Sequence, residues 1–115
     1  MRNGMIIHED GAKRWYRNDE LHRDDGPAVE RASGSKYWYQ NNQLHRIDGP
    51  AVEHADGHRF WYQNNRRHRI DGPAIEWHDG TKDWYFKGVA YDFNDWLEHA
   101  TTTEAQKTMM RLQYA

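Results

Sequence analysis

His45-Arg46-Ile47-Asp48-Gly49-Pro50-Ala51-Val52-Glu53-His54-Ala55-Asp56-Gly57-His58-Arg59-Phe60-Trp61-Tyr62 is the stretch on which the fold turns. Asp56-Gly57 stands between a short β-prone segment, Pro50-Ala51-Val52-Glu53, and an aromatic one, which is the sequence sign of a tight hairpin. Just beyond Tyr62, Asn64-Asn65 supplies residues that tolerate positive φ and predicts a second two-residue turn. Asp48-Gly49-Pro50 closes one unit, and its proline opens the next strand, where a missing N–H does little harm.

The stretch recurs along the chain. Trp15-Tyr16, Trp38-Tyr39, Trp61-Tyr62 and Trp84-Tyr85 follow one another at 23-residue steps, as do Gly11, Gly34, Gly57 and Gly80. The block that opens with His45 has copies opening with His22 and His68. Three landmarks in one register mark a repeat architecture. They set units at 4–26, 27–49, 50–72 and 73–95 within a single domain spanning 1–115. The predicted fold is mainly β: a meander of antiparallel hairpins, with the degenerate first strand Met5-Ile6-Ile7 as one cap.

Register follows from the turns. A two-residue loop at Asp56-Gly57 sets Val52 opposite Trp61 and Glu53 opposite Phe60. A two-residue loop at Asn41-Asn42 sets Trp38 opposite His45 and Tyr39 opposite Leu44. Alternation then predicts two faces. One carries Val29, Val52 and Ile75 with the Trp and His ladders. The other carries Tyr16, Tyr39, Tyr62 and Tyr85, with Arg14, Tyr37, Phe60 and Asp83 two residues before them. The Trp face barely changes between units, which suggests packing, whereas the position two before each Tyr varies, which suggests recognition. The expected partner-binding residues are therefore Tyr37, Tyr39, Phe60 and Tyr62, with Tyr16, Tyr85 and Arg14 alongside.

After Tyr91 the period changes. Phe93, Trp96, Leu97 and Ala100 have helical spacing behind a capping Asp92, and Thr103-Glu104-Ala105-Gln106 reads as a capping box for a second helix. That helix carries Ala105, Met109 and Leu112 on one side. The pair is expected to form an α-helical cap over about 92–115, since a β-repeat array needs its terminal apolar face covered. A helix that docks on a partner is the alternative.

Composition bounds the function. The chain of 115 residues carries 16 basic and 18 acidic residues, a net charge of -2, and no cysteine. The intermixed charge gives no basic field for a phosphate backbone, so nucleic acid is not the expected partner. Neither a membrane span nor a signal-peptide pattern is present, and a cytoplasmic location is the expectation. Six Trp, seven Tyr and three Phe must carry most of the apolar burial.

Candidate chemistry is sparse. His-Arg-x-Asp invites a general-base reading, yet it occurs three times, and an active site rarely needs three equal copies. The residues read instead as His beside Trp and Arg paired with the following Asp or Glu. Equivalent histidines lie roughly 10 Å apart, two strand spacings, too far to share one metal ion. His54 and His58 flank the Asp56-Gly57 turn and read as a solvated hairpin. No nucleotide-binding loop or nucleophile elbow is present, and no catalytic residue, cofactor or metal is expected.

The units, with His-Arg-x-Asp-Gly-Pro-Ala-Val-Glu followed by Gly-x-x-x-Trp-Tyr-x-Asn, resemble the MORN-variant repeats of small bacterial and bacteriophage proteins over residues 4–91. The resemblance implies an elongated twisted antiparallel sheet and an interaction role. In three units Asn stands after Tyr-x where the ordinary MORN repeat has glycine, and His-Arg replaces its His-Gly. By that resemblance the expected function is a non-enzymatic protein-binding module and, more narrowly, a phage-encoded inhibitor of a host defence protein such as a nuclease. A nucleotide-holding sponge and a virion component are the alternatives, and a second copy of this chain is a further candidate partner.

Overall fold

Each unit turns twice, and in the computed structural model, which describes residues 1–101 and 103–114, the two turns differ in kind. The first unit contributes β1 (Gly4–Ile7), β2 (Lys13–Arg17) and β3 (Glu20–Leu21). The second contributes β4 (Val29–Glu30), β5 (Lys36–Tyr37), β6 (Tyr39–Gln40) and β7 (Gln43–Leu44). The third contributes β8 (Val52–Glu53), β9 (Arg59–Phe60), β10 (Tyr62–Gln63) and β11 (Arg66–Arg67). The fourth holds β12 (Ile75–Glu76), β13 (Lys82–Phe86) and β14 (Val89–Tyr91), followed by α1 (Phe93–Ala100) and α2 (Glu104–Tyr114).

The principal sheet runs β1-β2-β4-β5-β8-β9-β12-β13-β14, with β3 also on β2, while β6-β7 and β10-β11 form separate hairpins. The chain measures 49 × 28 × 21 Å, so this is the expected antiparallel hairpin-repeat sheet with a helical end.

The Asn-Asn turn matches its reading. Tyr39 pairs with Leu44 and Gln40 with Gln43, and Asn41 and Asn42 have φ of 49° and 65°. Two consecutive positive φ values define the mirror-image turn whose twist suits a hairpin.

The Asp-Gly loop does not match. Val52 pairs with Phe60 and Glu53 with Arg59, so the expected Val52–Trp61 pairing is wrong by one residue. The loop contains Ala55, Asp56 and Gly57: His54 N–H donates to His58 O at 2.9 Å, and Gly57 N–H donates to His54 O at 3.0 Å. Gly57 has φ +99°, the left-handed position of a three-residue hairpin. Asp56 Oδ1 holds the turn by accepting the His58 N–H at 3.2 Å.

One additional loop residue reverses which side of the sheet each residue takes. Val29, Val52 and Ile75 therefore share a cross-strand row with Arg14, Tyr37, Phe60 and Asp83, not with the tryptophans. Trp15, Trp38 and Trp61 lie opposite Ala28, Ala51 and Ala74, whose carbonyls accept their N–H groups at 2.8, 2.7 and 2.7 Å. These alanines and the aliphatic row are buried. The small Ala leaves room for an indole on one face, and on the other Val52 lies between the Tyr37 and Phe60 rings while Val29 and Ile75 have one ring each, with Arg14 and Asp83 on their outer sides. Trp61 is buried where Tyr62 is half-buried, whereas Trp38 and Tyr39 are both half-buried.

Asp92 caps α1 as expected, accepting the Asp95 N–H at 2.8 Å. Thr103 and Gln106 form the capping box of α2, with bonds of 3.1 and 3.2 Å. The helices divide the capping role unequally. α1 buries Trp96 and Leu97 completely, but Met109 and Leu112 of α2 are 64% and 79% exposed, so the expected apolar stripe of α2 does not lie on the sheet. The cap was expected to reach Ala115, which with Thr102 lies outside the described residues.

Candidate functional site

The repeated His-Arg-x-Asp-Gly-Pro block is used within the fold. The guanidinium carbons of Arg23, Arg46 and Arg69 lie 3.8, 3.9 and 3.9 Å from the ring centres of Trp15, Trp38 and Trp61. Each Nε donates to the following aspartate, Asp25, Asp48 or Asp71, at 2.9, 3.1 and 2.8 Å. Each Nη1 donates to a proline carbonyl, that of Pro27, Pro50 or Pro73. Glycine precedes the proline because a Cβ on Gly49 would sit 2.8 Å from the Arg46 guanidinium carbon. The Arg–acid pairing expected from the sequence is present.

The histidines stitch units together. Nδ1 of His22, His45 and His68 accepts the main-chain N–H of Asn41, Asn64 and Lys87 in the next unit, at 3.1, 3.1 and 2.9 Å. Beside these bonds, Asn42 N–H donates to Leu21 O at 2.9 Å while its Oδ1 accepts the Leu21 N–H at 2.6 Å, and Asn65 does the same with Leu44. Sequence reading placed His beside Trp and missed this link; the constant offset between His and the next Asn-Asn was its signal. In the first unit His22 Nε2 also lies 2.8 Å from Asp24 Oδ1, and that hydrogen bond holds the Asp24 carboxyl below the usual carboxylate range.

The expected partner-binding residues occupy several environments. Tyr37 and Phe60 stand half-buried in one row, with His54 edge-on to both at 5.9 and 5.5 Å and Trp77 edge-on to Phe60 at 5.4 Å. Tyr39 is close enough to feel Tyr37 and Tyr62, and burial pushes its phenol up. Tyr62 and Tyr85 flank Arg67 at 5.9 and 5.3 Å. Tyr16 is buried at the other end, its hydroxyl 3.2 Å from His8 Nε2. Arg14 is half-buried and 3.5 Å from Asp10. Thus Tyr37, Tyr39, Phe60 and Tyr62 come together and Tyr85 adjoins Tyr62 through Arg67, while Tyr16 and Arg14 lie in the first unit. His54 and His58 flank their turn, and among the described residues no group of three or more His, Asp or Glu is placed to hold a metal ion.

The Trp side carries a feature that the register error hid. Ile47 and Ile70, the variable residues of two His-Arg-x-Asp loops, are 78% and 57% exposed. Between consecutive loops run two grooves. One, of about 630 Å³, has Arg23, Pro27, Trp38, His45, Arg46 and Ile47 among its walls. The other, of about 450 Å³, has Ile47, Pro50, Trp61, His68, Arg69 and Ile70. Ile47 borders both.

Unit four shows what the chain itself places at the corresponding position. Tyr91-Asp92-Phe93 replaces His-Arg-Ile, so no arginine covers Trp84. Phe93, Trp96 and Tyr114 surround its ring instead, at 4.8, 4.6 and 5.2 Å. Trp96 Nε1 donates to Arg69 O at 3.1 Å. Two grooves back, the matching Arg23 carbonyl accepts from Gln40 at 3.2 Å.

No helix among the described residues is long and apolar enough to cross a membrane. Comparison with family models, with curated proteins and with solved structures finds no match, so the likeness to MORN-variant repeats rests on the repeated residues themselves.

Proposed function

We propose that the chain is a non-enzymatic protein-binding module whose partner inserts apolar side chains into the grooves between consecutive His-Arg-x-Asp-Gly-Pro loops. The supporting observation is the pair Ile47 and Ile70, two exposed aliphatics on successive loops beside tryptophan-walled grooves. Contiguous exposed apolar surface marks interaction sites. The insertion of Trp96 and Tyr114 beside Trp84 supplies the chemical precedent: an aromatic side chain from a helix, with its N–H bound to a loop carbonyl.

The opposite face offers a second surface through Tyr37, Tyr39, Phe60 and Tyr62, favoured by the half-exposed Tyr37–Phe60 row and by the taste of binding hot spots for Tyr. The narrower reading, a phage-encoded inhibitor that occludes a host defence nuclease in the host cytoplasm, rests on the repeat resemblance.

Affinity capture from a candidate host lysate, repeated with two double variants, tests the module and its face. Ile47→Asp/Ile70→Asp should weaken capture by about tenfold or more, since each variant places a charge in an apolar contact. Tyr37→Ala/Phe60→Ala should retain it. The reverse pattern transfers the site to the tyrosine face, and capture of nothing by the folded parent removes the proposal.

A further inference from the structure

Unit three and its junction with unit four break the repeat at one place. The positions of Leu21 and Leu44 are taken by Arg67, those of Glu20 and Gln43 by Arg66, and the Asn-Asn turn becomes Lys87-Gly88. The altered residues meet, with Gly88 N–H donating to Arg67 O at 2.8 Å. Arg66, Arg67 and Gly88, together with Tyr62 and Asn65, wall a cleft of about 330 Å³.

The cleft is rich in donors. In the regular units the N–H groups of Leu21 and Leu44 are taken by the Asn42 and Asn65 side-chain oxygens. At the equivalent place beside Arg67 stands Gly88, which has no side chain to offer to an N–H. Asn65 Oδ1 is engaged by Leu44, which leaves its amide nitrogen as a donor. Arg67 Nε is shut off from water and has no acceptor among the described residues. Among the described residues no carboxylate forms an ion pair with Arg66, Arg67 or Lys87, whereas Arg2, Arg23, Arg46, Arg69 and Lys107 each have at least one. The half-buried Arg67 guanidinium lies between the Tyr62 and Tyr85 rings; burial disfavours its charge, the two tyrosines offset that cost and hold its pKa up, and neither supplies a negative charge at neutral pH.

We propose that this cleft binds a phosphate group, either as the free anion or as the end of a soluble phosphate ester. Arg66 and Arg67 supply the planar forks that pair with two phosphate oxygens at once. Lys87, the neighbour of Gly88 on the turn, has its ammonium 5.4 Å from the Phe86 ring centre and adds a third positive charge to this end of the unit, a balance suited to a dianion. The site is independent of the grooves on the tryptophan face.

Calorimetric titration of the full chain with inorganic phosphate and with adenosine monophosphate, each compared with acetate, tests it and separates the two sources. Saturable binding of either phosphate probe, stronger than that of acetate, is expected. Arg67→Leu restores the residue of units one and two, and it should weaken that binding by about tenfold or more. Arg66→Gln/Lys87→Asn also restores the repeat's own residues and provides the same reading should Arg67→Leu fail to fold. Absence of saturation by both phosphate probes, equal affinity for acetate, or unchanged affinity in a folded variant overturns the proposal.

Discussion

The guanidinium of Arg46 lies over Trp38 with its central carbon 3.9 Å from the ring centre, and the same group bonds Asp48 and the Pro50 carbonyl. One side chain thus joins an aromatic strand, the loop that follows it and the start of the next strand. Its recurrence at Arg23 and Arg69 explains why the loop sequence is nearly constant.

A lysine cannot replace this fork, because it lacks the planar face and the paired donors. Arg46→Lys should lower stability by about 1–2 kcal/mol and Arg46→Ala by about 2–3 kcal/mol. Asp48→Ala should cost far less, because its carboxylate is 87% exposed and an exposed ion pair contributes little. Urea denaturation measures all three. Parent-like stability in Arg46→Lys would show the stack to be dispensable.

Much of this fold is legible in the sequence because its turns have chemical signatures. Asn41-Asn42 announced two positive φ values and fixed the Tyr39–Leu44 pairing. Asp56-Gly57 announced a hairpin but left its length open: two-residue and three-residue loops both place glycine at positive φ. The choice moved Val52 from Trp61 to Phe60 and with it the face assignment. The groove pair beside Ile47 was hidden by that parity. The long-range His45–Asn64 bond was hidden for another reason, since it joins different units and no local pattern encodes it.

The Asn42 side chain has two separable duties. It sits at φ 65°, and its Oδ1 accepts the Leu21 N–H at 2.6 Å. Asn42→Gly keeps the backbone freedom and removes the bond, so a loss of about 1 kcal/mol is expected. Asn42→Ala removes both and should cost about 1 kcal/mol more, because a left-handed alanine is strained. Thermal unfolding of the two variants tests the order. Equal losses would mean that backbone strain contributes nothing here.

Burial, with Lys87 and Arg66 nearby, holds His68 below its ordinary value of 6.5. Its Nδ1 accepts the Lys87 N–H, which requires an unprotonated nitrogen. The unfolded chain therefore binds this proton at a higher pH than the folded one. The contribution to stability is fully present above 6.5 and is lost as pH falls through the folded value. Asp10, Asp19, Asp24 and Asp79, all lowered from 3.8, give way only in a separate and more acidic window. The melting temperature should begin to fall below about pH 6.5, less steeply in His68→Gln. An NMR titration of the His68 ring with a midpoint above 6.5 would reverse the sign of this argument.

Trp96 is fully buried, stands 4.6 Å from Trp84 and donates its indole N–H to Arg69 O. It therefore anchors α1 to the last unit. Trp96→Ala should cost about 3–5 kcal/mol through the lost ring and the cavity left behind. Trp96→Phe retains a ring but leaves the Arg69 carbonyl without its donor, a loss of about 1 kcal/mol before any packing change. In a repeat array each unit contacts only its neighbours, so the damage should be graded along the chain. Amide hydrogen exchange should quicken in α1 and around Trp84, while the Trp15 and Trp38 amides, bonded to Ala28 and Ala51, retain protection. An even loss of protection through all four units would mean that the array unfolds as one cooperative block, and that the helix holds the whole sheet rather than its end.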